Sequence, residues 1–413
     1  MNHSLRSPDL NIPDRNIPEL DIDPYSEENL LDPYPMHERM REAGPVVRLT
    51  PYGDLLACAR HAETHAVFND HVRFISGAGV GLTNFNTETP FRPKSLILEV
   101  DPPLHTQNRA VLSRILSPKA VMQIRAAFTA EAEALIDKCI EKSTTFGQID
   151  AIHDLAQPYP LKVFPDAVGL GDEGRENLLV YGDMIFNSMG PRNELLAKST
   201  ARVAEVTQWI MAHCQRDKLR SGGFGDQIYQ AADAGEIDPQ HAPLLVRSFL
   251  SAGVDTTING IGNALYSLAH HPEQYALLQA DHSLARPAFE EALRWESTVQ
   301  TFFRTAVGDC DIARLPVPDN TKVLCMLASA NRDPRKWVDP NRYDIQRRPS
   351  GHMALGSGIH GCVGQAVARL EGEVILTALA KRVKRIEVAG MHTRRLNNTL
   401  RALDTLPLRL VPV

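Results

Sequence analysis

Apolar residues recur at helical spacing along most of the chain from residue 117 onward. Ser117 and Pro118 are residue types preferred at the cap and first turn of a helix, and the apolar spacing behind them continues to about residue 140. The same spacing predicts further helices at about 158–169, 174–190, 194–218, 241–270, 273–280, 286–296 and 363–383.

Alternation of apolar and polar residues predicts a smaller β portion. It indicates a short hairpin from Val46 to Ala59, short strands within 298–330, and strands and turns after about residue 388. Residues 331–358 are rich in Asp, Arg, Asn and Pro, which predicts a loop region. No change in composition marks a linker, so we expect one mainly α domain over 21–413, preceded by a flexible tail over 1–20.

Composition and charge narrow the function classes. The chain has 413 residues, with 44 Lys and Arg against 50 Asp and Glu, which argues against nucleic-acid binding as its main activity. No run approaches the ~18 apolar residues of a membrane span, and the polar start lacks the apolar core of a signal peptide. We therefore expect a cytoplasmic protein. Its six cysteines include no C-x-x-C pair, which disfavours a zinc or iron–sulfur cage.

One cysteine has distinctive surroundings. Cys362 lies in a segment, residues 356–364, in which four of nine residues are glycine, and an amphipathic helix follows directly. Free N–H groups at a helix start favour a thiolate, so Cys362 is a candidate nucleophile, redox sensor or metal ligand. The alternatives are a buried structural cysteine and a cysteine hydrolase with His360 as its base, although no oxyanion-hole motif accompanies the pair.

Residues 355–364 resemble the haem-ligand loop of the cytochromes P-450, whose pattern is F-x-x-G-x-[HR]-x-C-x-G. The one departure is Leu355 in place of the phenylalanine. The resemblance implies the cytochrome P-450 fold, with haem b (iron protoporphyrin IX) held between a distal and a proximal helix. It also implies that the Cys362 thiolate is the iron ligand and the only protein ligand to the metal.

Three further segments support the resemblance. Glu291 and Arg294 match the helical E-x-x-R pair, to which we expect Arg342 to supply a second arginine. Residues 101–109 resemble the segment that neutralises the haem propionates. By resemblance, the cofactor-binding residues besides the thiolate are His105, Arg109, Arg304, Gly356 and His360.

The helix predicted over 241–270 carries a polar and a small residue in its apolar middle. Residues 252–257 read Ala-Gly-Val-Asp-Thr-Thr, which alone is equally consistent with a kinked core helix. The resemblance implies that Asp255 and Thr256 are the catalytic acid–threonine pair that delivers protons during dioxygen reduction. It also implies that Gly253 leaves a groove for dioxygen.

The substrate prediction rests on charged residues beside an apolar pocket. The chain resembles bacterial cytochromes P-450 that oxidise para-substituted benzoates and O-demethylate 4-methoxybenzoate, on matches that include Phe91 and residues 77–81 and 301–304. This implies that Arg92, Ser95 and Ser248 hold a carboxylate with Arg247 nearby. Met189 stands where that subgroup tends to have phenylalanine. The remaining predicted substrate-binding residues are Leu98, Phe186, Ala252, Val299 and Phe302.

The resemblance also implies partners. Two electrons would come from NAD(P)H through a ferredoxin reductase and a soluble two-iron ferredoxin, which would dock on exposed cations such as Arg114, Lys119, Arg347 and Arg348. We expect a monomer. The alternatives are oxidation of another aromatic acid of the cinnamate type, oxidation of a terpenoid, or a haem or thiol sensor. The Asp255–Thr256 pair disfavours a sensor, which needs no proton relay.

Overall fold

The computed structural model describes residues 17–53, 55–90 and 92–413. Sixteen α-helices lie in these residues. They are α1 Glu27–Leu31, α2 Tyr34–Ala43, α3 His61–Asn69, α4 Leu104–Ile115, α5 Pro118–Phe146, α6 Pro158–Val168, α7 Asn177–Asn187, α8 Glu194–Ser199, α9 Val203–His213, α10 Phe224–Asp233, α11 Ala242–Gly253, α12 Asp255–His270, α13 Pro272–Ala280, α14 Ala285–Trp295, α15 Leu327–Ala330 and α16 Gln365–Arg382.

The strands are short and form a minor part of the described chain. They are β1 Glu19–Leu20, β2 Val47–Leu49, β3 Leu56–Cys58, β4 Phe74–Ile75, β5 Ile149–Asp150, β6 Thr301–Ala306, β7 Cys310–Ile312, β8 Leu315–Val317, β9 Lys322–Met326, β10 Val383–Val388, β11 Thr393–Arg395, β12 Ala402–Thr405 and β13 Pro407–Pro412. The predicted mainly α class with a smaller β portion is confirmed, at 52% helix and 13% strand.

One six-stranded sheet contains most of the N-terminal strands, in the order β1-β2-β3-β9-β6-β4. The predicted hairpin is present, because β2 pairs antiparallel with β3. A three-stranded sheet, β10-β13-β5, and the pairs β11-β12 and β7-β8 complete the β portion. The predicted tail extends too far, since Glu19 and Leu20 pair with β2; residues 1–16 of that prediction lie outside the described residues.

The long helices follow the sequence signals closely. The Ser117 Oγ accepts a hydrogen bond from the Ala120 amide, and α5 ends where Gly147 adopts a φ of 84°. Two predicted helices are divided: the 194–218 segment into α8, α9 and a short 3₁₀ turn, and the 241–270 segment into α11 and α12. No helix among the described residues is long and apolar enough to cross a membrane.

Packing of α12 against α14, and of α14 against α16, forms the central helical layer. A cavity of about 230 Å³ lies between α11–α12 on one side and the start of α16 on the other. Side chains before and within β6 and at the end of α7 close its far wall. The predicted distal segment, α11–α12, and the predicted proximal segment at the start of α16 thus line the same cavity.

Candidate functional site

The Cys362 loop is a tight turn that leads into α16. The Cys362 amide donates to the Leu355 carbonyl oxygen over 2.8 Å, and Gly356 and Gly358 adopt φ values of 69° and 65°. A Cβ at Gly358 would lie 2.5 Å from the Phe68 carbonyl oxygen, so only glycine fits there. The turn therefore presents the Cys362 side chain to the cavity, between Gly361 and Val363.

The surroundings of the thiol do not match a free nucleophile. Burial raises the pKa of Cys362, and the Gly364 amide and Arg109 only partly oppose that rise. This direction is opposite to the lowered pKa that the helix start alone predicts. Neither ring nitrogen of His360 has a hydrogen-bond partner, so the Cys–His pair of a hydrolase is not formed.

Four basic side chains converge beside this loop, and none of them has an acidic partner in hydrogen-bond contact among the described residues. The rings of His105 and His360 lie 4.3 Å apart, and three of their four nitrogens are buried and unpartnered. Arg304 is fully buried and donates only to the Phe303 carbonyl oxygen, while Arg109 donates to the Ile359 and Gly361 carbonyl oxygens over 3.3 and 2.5 Å.

Burial and the neighbouring Arg304 lower the pKa of His360 to about 3, and burial lowers the pKa of Arg304 to about 10. Burial is the largest cause of both shifts, so these desolvated basic groups would be stabilised by an anionic ligand. The two propionates of a haem would accept hydrogen bonds from these basic side chains, and the Cys362 thiolate in the same cavity would be the ligand of its iron. The described residues contain no cluster of three His, Cys, Asp or Glu side chains suited to another metal. The residues present therefore fit haem.

The distal helix is interrupted where the sequence indicates. α11 ends at Gly253, and α12 begins at Asp255. The Thr256 hydroxyl donates to the Ala252 carbonyl oxygen over 2.6 Å, and the Thr257 hydroxyl donates to the Gly253 carbonyl oxygen over 3.0 Å. These hydroxyls occupy carbonyls that a continuous helix would use, which explains the break.

The two predicted catalytic residues, Asp255 and Thr256, differ in whether they line the cavity. Ala252 and Thr256 line the cavity, whereas Asp255 does not. Asp255 is 2% exposed and its Oδ1 accepts a hydrogen bond from Arg395. The structure gives Gly253 a packing role, because a Cβ there would collide with the Phe164 ring.

All ten predicted substrate-binding residues line the same cavity. The apolar ones form its walls, with Phe186 and Met189 in one cluster against Val80 and Leu400. The sequence interpretation missed several other lining residues, among them Ile97, Tyr181, Ile185, Phe249 and Thr298. These belong to helices and turns with no motif, so only the fold identifies them.

The predicted carboxylate receptor needs a correction. Arg92 donates through both terminal nitrogens to Glu99, at 2.8 Å each, and through Nε to Ser188 at 3.2 Å. Arg247 is 4% exposed, its Nη2 donates to the Lys94 carbonyl oxygen over 3.1 Å, and no carboxylate lies within ion-pair distance among the described residues. Of the two arginines in the predicted carboxylate receptor, Arg247 is therefore the one without a carboxylate partner among the described residues, and the charge of Arg92 is balanced by Glu99.

The serines complete this end of the cavity. The Ser248 hydroxyl donates to the Leu244 carbonyl oxygen over 2.9 Å, and the Ser95 Oγ accepts from the Leu98 amide over 3.2 Å. Both line the cavity together with Arg247. This end of the cavity therefore holds two hydroxyls and one cation, and apolar walls lie between it and Cys362. Such a cavity suits a flat molecule with a single anionic end.

The structure brings together the first two members of the predicted arginine pair, but a different arginine takes the third place. Glu291 accepts from Arg294 over 2.7 and 2.8 Å, and from the Arg347 Nε over 3.0 Å. Arg342 is exposed and contributes only its carbonyl oxygen, to Arg294 over 3.2 Å. The second arginine is therefore Arg347, whose side chain is held by this pair.

Two of the four cations suggested for ferredoxin docking are engaged in ion pairs. Arg347 is bound to Glu291, and Arg114 donates to both oxygens of Glu236 over 2.6 and 2.9 Å. Lys119 and Arg348 are exposed. Arg348 lines a groove beside the Cys362 loop, together with Arg286 and Arg369.

Sequence comparisons agree with this site. The profile of the family described as Cytochrome P450 matches residues 215–388. The Rhodopseudomonas palustris protein named Cytochrome p450 CYP199A2 is 55% identical over 393 residues, which cover 95% of this chain and 94% of that protein. Cytochrome P450 monooxygenase PikC of Streptomyces venezuelae is 30% identical over 402 residues, covering 94% of each chain.

Solved structures share the fold. Cytochrome P450 CYP109Q5 from Chondromyces apiculatus superposes with a TM-score of 0.78 at 30% identity, covering 95% of this chain and 99% of that chain. Epothilone D-bound cytochrome P450epoK gives a TM-score of 0.83 at 23% identity, covering 95% of this chain and 100% of that chain, and supports the fold alone. The chain belongs to the cytochrome P450 family of haem-dependent monooxygenases.

Proposed function

We propose that this monooxygenase oxidises para-substituted benzoates and removes the methyl group of 4-methoxybenzoate. Oxygen insertion at the methoxy carbon, followed by loss of formaldehyde, leaves 4-hydroxybenzoate. The observation that carries the proposal is the buried Arg247 cation, which lacks a described carboxylate partner at one end of a largely apolar cavity. A bound carboxylate would neutralise that charge, and the cost of its burial favours occupation by a monoanion.

The chain's own residues would hold and orient the acid. Arg247, Ser95 and Ser248 would bind the carboxylate, while Phe186 and Val299 would pack on the ring. Anchoring the carboxylate of the substrate fixes how far the para substituent reaches along the cavity toward Cys362. The position of the bound acid therefore selects the carbon that reacts. The adaptable Met189 side chain borders the same cluster and suits a para group of variable size.

Haem, when bound through Cys362, would supply the activation of dioxygen, one atom of which is transferred to the substrate while the other leaves as water. His105, Arg109, Arg304 and His360 would hold its propionates. The Thr256 hydroxyl, on the cavity wall, would hold a proton beside the reacting oxygen, and Asp255 would replenish it from the far side of the helix.

Two electrons for each turnover would come from NAD(P)H through a reductase and a soluble two-iron ferredoxin. Arg286 and Arg348 line the groove beside the Cys362 loop and support an acidic partner at this face, whereas Arg369 in the same groove is paired with Glu290. Raising ionic strength should slow reduction of the protein by such a ferredoxin more than reduction by dithionite.

The test is a spectral titration of the haem-loaded protein. The reduced, CO-treated form should show the red-shifted Soret band of thiolate ligation, and Cys362→Ala should lose it. We expect 4-methoxybenzoate to convert the resting iron to high spin, with methyl 4-methoxybenzoate binding far more weakly. Equal binding of acid and ester would reject the carboxylate receptor, and preferential binding of cinnamates would assign a longer aromatic acid instead.

A further inference from the structure

Glu290 joins α14 to the two segments that flank Cys362. Its Oε2 accepts a hydrogen bond from the His352 Nε2 over 2.7 Å, and its Oε1 accepts one from the Arg369 Nε. His352 lies just before the Cys362 loop, whereas Arg369 belongs to α16, which follows it. The side chain of Glu290 is 16% exposed and that of Arg369 20%, so both charges of the pair are largely buried.

The His352 ring connects Glu290 to the backbone of the Cys362 loop. The Ala354 amide donates to its Nδ1 over 3.2 Å, so in the neutral ring Nε2 carries the proton that Glu290 accepts. The side chain is 5% exposed. Ala354 directly precedes Leu355, whose carbonyl oxygen accepts from the Cys362 amide over 2.8 Å. Glu290 therefore helps to fix the position of this turn.

Arg369 is the member of this network whose charge acts on Cys362. Its Nη1 donates to the Gln365 Oε1 over 2.5 Å, at the first residue of α16, and its Nη2 donates to the Glu290 Oε2 over 3.5 Å. Burial is the largest influence on the pKa of Cys362 and raises it, whereas the positive charges of Arg109 and Arg369 are among the influences that lower it. Both cations therefore favour negative charge on the sulfur.

These two cations differ in whether a carboxylate neutralises them. Arg109 donates to backbone carbonyl oxygens of the Cys362 loop, and no acid lies within ion-pair distance of it among the described residues. Arg369 has Glu290 as its partner. Burial alone would raise the pKa of Glu290, but the hydrogen bonds from His352 and Arg369 outweigh it and lower that pKa to about 2. Glu290 is therefore ionised at neutral pH and cancels most of the Arg369 charge.

We propose that Glu290 is a positioning residue that sets the reduction potential of the haem by neutralising Arg369, the cation of α16 that acts on Cys362. The step concerned is the uptake of one electron by ferric haem, which gives ferrous haem; the redox partner supplies the electron, and no bond or proton is exchanged. Reduction adds one negative charge at the iron, so a neighbouring positive charge favours the reduced form. Glu290 removes that advantage while it is paired with Arg369.

Two charge-removing substitutions should shift the reduction potential of the haem-loaded protein in opposite directions. Glu290→Gln keeps the shape of the side chain but leaves Arg369 without a negative partner, so the potential should rise. Arg369→Met leaves Glu290 without its cation and should lower the potential. In a spectroelectrochemical titration, each shift should change the ratio of reduced to oxidised protein at a fixed potential at least threefold, about 30 mV for a one-electron couple. The double variant should return close to the original value.

Two further variants separate charge from structure. Arg369→Lys keeps the positive charge and should keep the original potential, although it loses the planar guanidinium. Glu373 is a matched control, because it lies on the same helix and pairs with Arg125 over 2.8 Å. Glu373→Gln should leave the potential unchanged, since neither member of that pair is among the charges that act on Cys362.

A purely structural Glu290 would lower stability or haem content without producing shifts of opposite sign. The inference is overturned if Glu290→Gln and Arg369→Met shift the potential in the same direction or not at all, or if Glu373→Gln shifts it as far as Glu290→Gln does. Should Glu290→Gln fail to take up haem, the comparison of Arg369→Met with Arg369→Lys decides alone: a lower potential in the methionine variant supports the inference, and equal potentials reject it.

A second readout needs no reduction. A four-variant cycle of the oxidised, haem-loaded protein, with Glu290→Gln, Arg369→Met and the double variant, measures the coupling between the two residues in the free energy of unfolding. The coupling should be favourable, because each single variant leaves a largely buried charge without its partner; an absent coupling rejects the inference. Neither readout uses 4-methoxybenzoate, so the failure of the proposed substrate and the failure of this inference are distinguishable.

Discussion

Under the proposed function Arg247 binds the substrate carboxylate, so Arg247→Met gives the sharpest test. The guanidinium is buried, makes a single hydrogen bond to a backbone carbonyl oxygen, and has no acid in ion-pair contact among the described residues. Methionine keeps much of the apolar stem and removes the charge. The variant therefore changes what the cavity can neutralise with little change in its walls.

The magnitude follows from the loss of one buried, charge-assisted contact. Removing one partner of a buried charge pair costs about 2–5 kcal/mol. Ser95 and Ser248 would still contact the carboxylate, which places the expected loss near the lower limit, at about 2–3 kcal/mol. At 1.4 kcal/mol for each factor of ten, the affinity for 4-methoxybenzoate should fall roughly 30- to 150-fold.

Spin-state titrations with 4-methoxybenzoate and its methyl ester would measure this effect on the haem-loaded protein. The acid should lose affinity as above, while the ester should bind the variant as well as it binds the original protein. Arg247→Lys, which keeps a cation but loses the planar guanidinium, should lie between the two. A loss of the same size for acid and ester would mean that Arg247 shapes the cavity rather than binding the anion, and would refute the reasoning.

Two further predictions concern stability. Arg347→Ala should lower the free energy of unfolding by about 3 kcal/mol, because it weakens the compensation of the buried Glu291 carboxylate. Arg342→Ala should change that free energy by no more than about 0.5 kcal/mol. Denaturant titration measures both, and a larger loss for Arg342→Ala would restore Arg342 as the second arginine. Burial raises the pKa of Glu371 well above 4.5, and neither of its carboxyl oxygens has a hydrogen-bond partner among the described residues. The folded state therefore holds a proton that the unfolded chain releases, so the free energy of unfolding falls as pH rises above about 4.5. The stability gain of Glu371→Gln should grow between pH 5 and pH 8, and a gain independent of pH would contradict this prediction.

Sequence reasoning succeeded where chemistry lies in short, contiguous patterns. The Cys362 loop and the predicted walls of the cavity follow from local residue order together with the resemblance, whereas the division of the 241–270 segment into α11 and α12 does not, because the pattern predicted one helix there. Helices α2, α3, α4 and α10 were not predicted, because polar or charged side chains interrupt the apolar stripe of each. Tertiary packing, rather than local propensity, stabilises such helices.

The errors share a different cause. The pairing of Glu291 with Arg347 rather than Arg342 depends on how an aperiodic loop folds back, and no sequence spacing specifies that. Contacts between partners far apart in the chain, such as Asp255 and Arg395 at a separation of 140 residues, are equally inaccessible to sequence patterns. Even the seven-residue separation of Arg92 and Glu99 gave no periodic signal, because the segment between them is neither a helix nor a strand.

These pairings determine the electrostatics of the cavity. Glu99 cancels Arg92, and Arg395 compensates Asp255 on the far side of the distal helix, so at the anion-binding end the uncompensated charge among the described residues is that of Arg247. A neutral terpenoid would leave that cation desolvated and unpaired, whereas an aromatic monoanion would neutralise it. Under the proposed function, discrimination against neutral molecules would therefore arise from the cost of an unpaired charge more than from the shape of the walls. It follows that replacing Glu99, which would free Arg92, should increase the preference for anions rather than remove it.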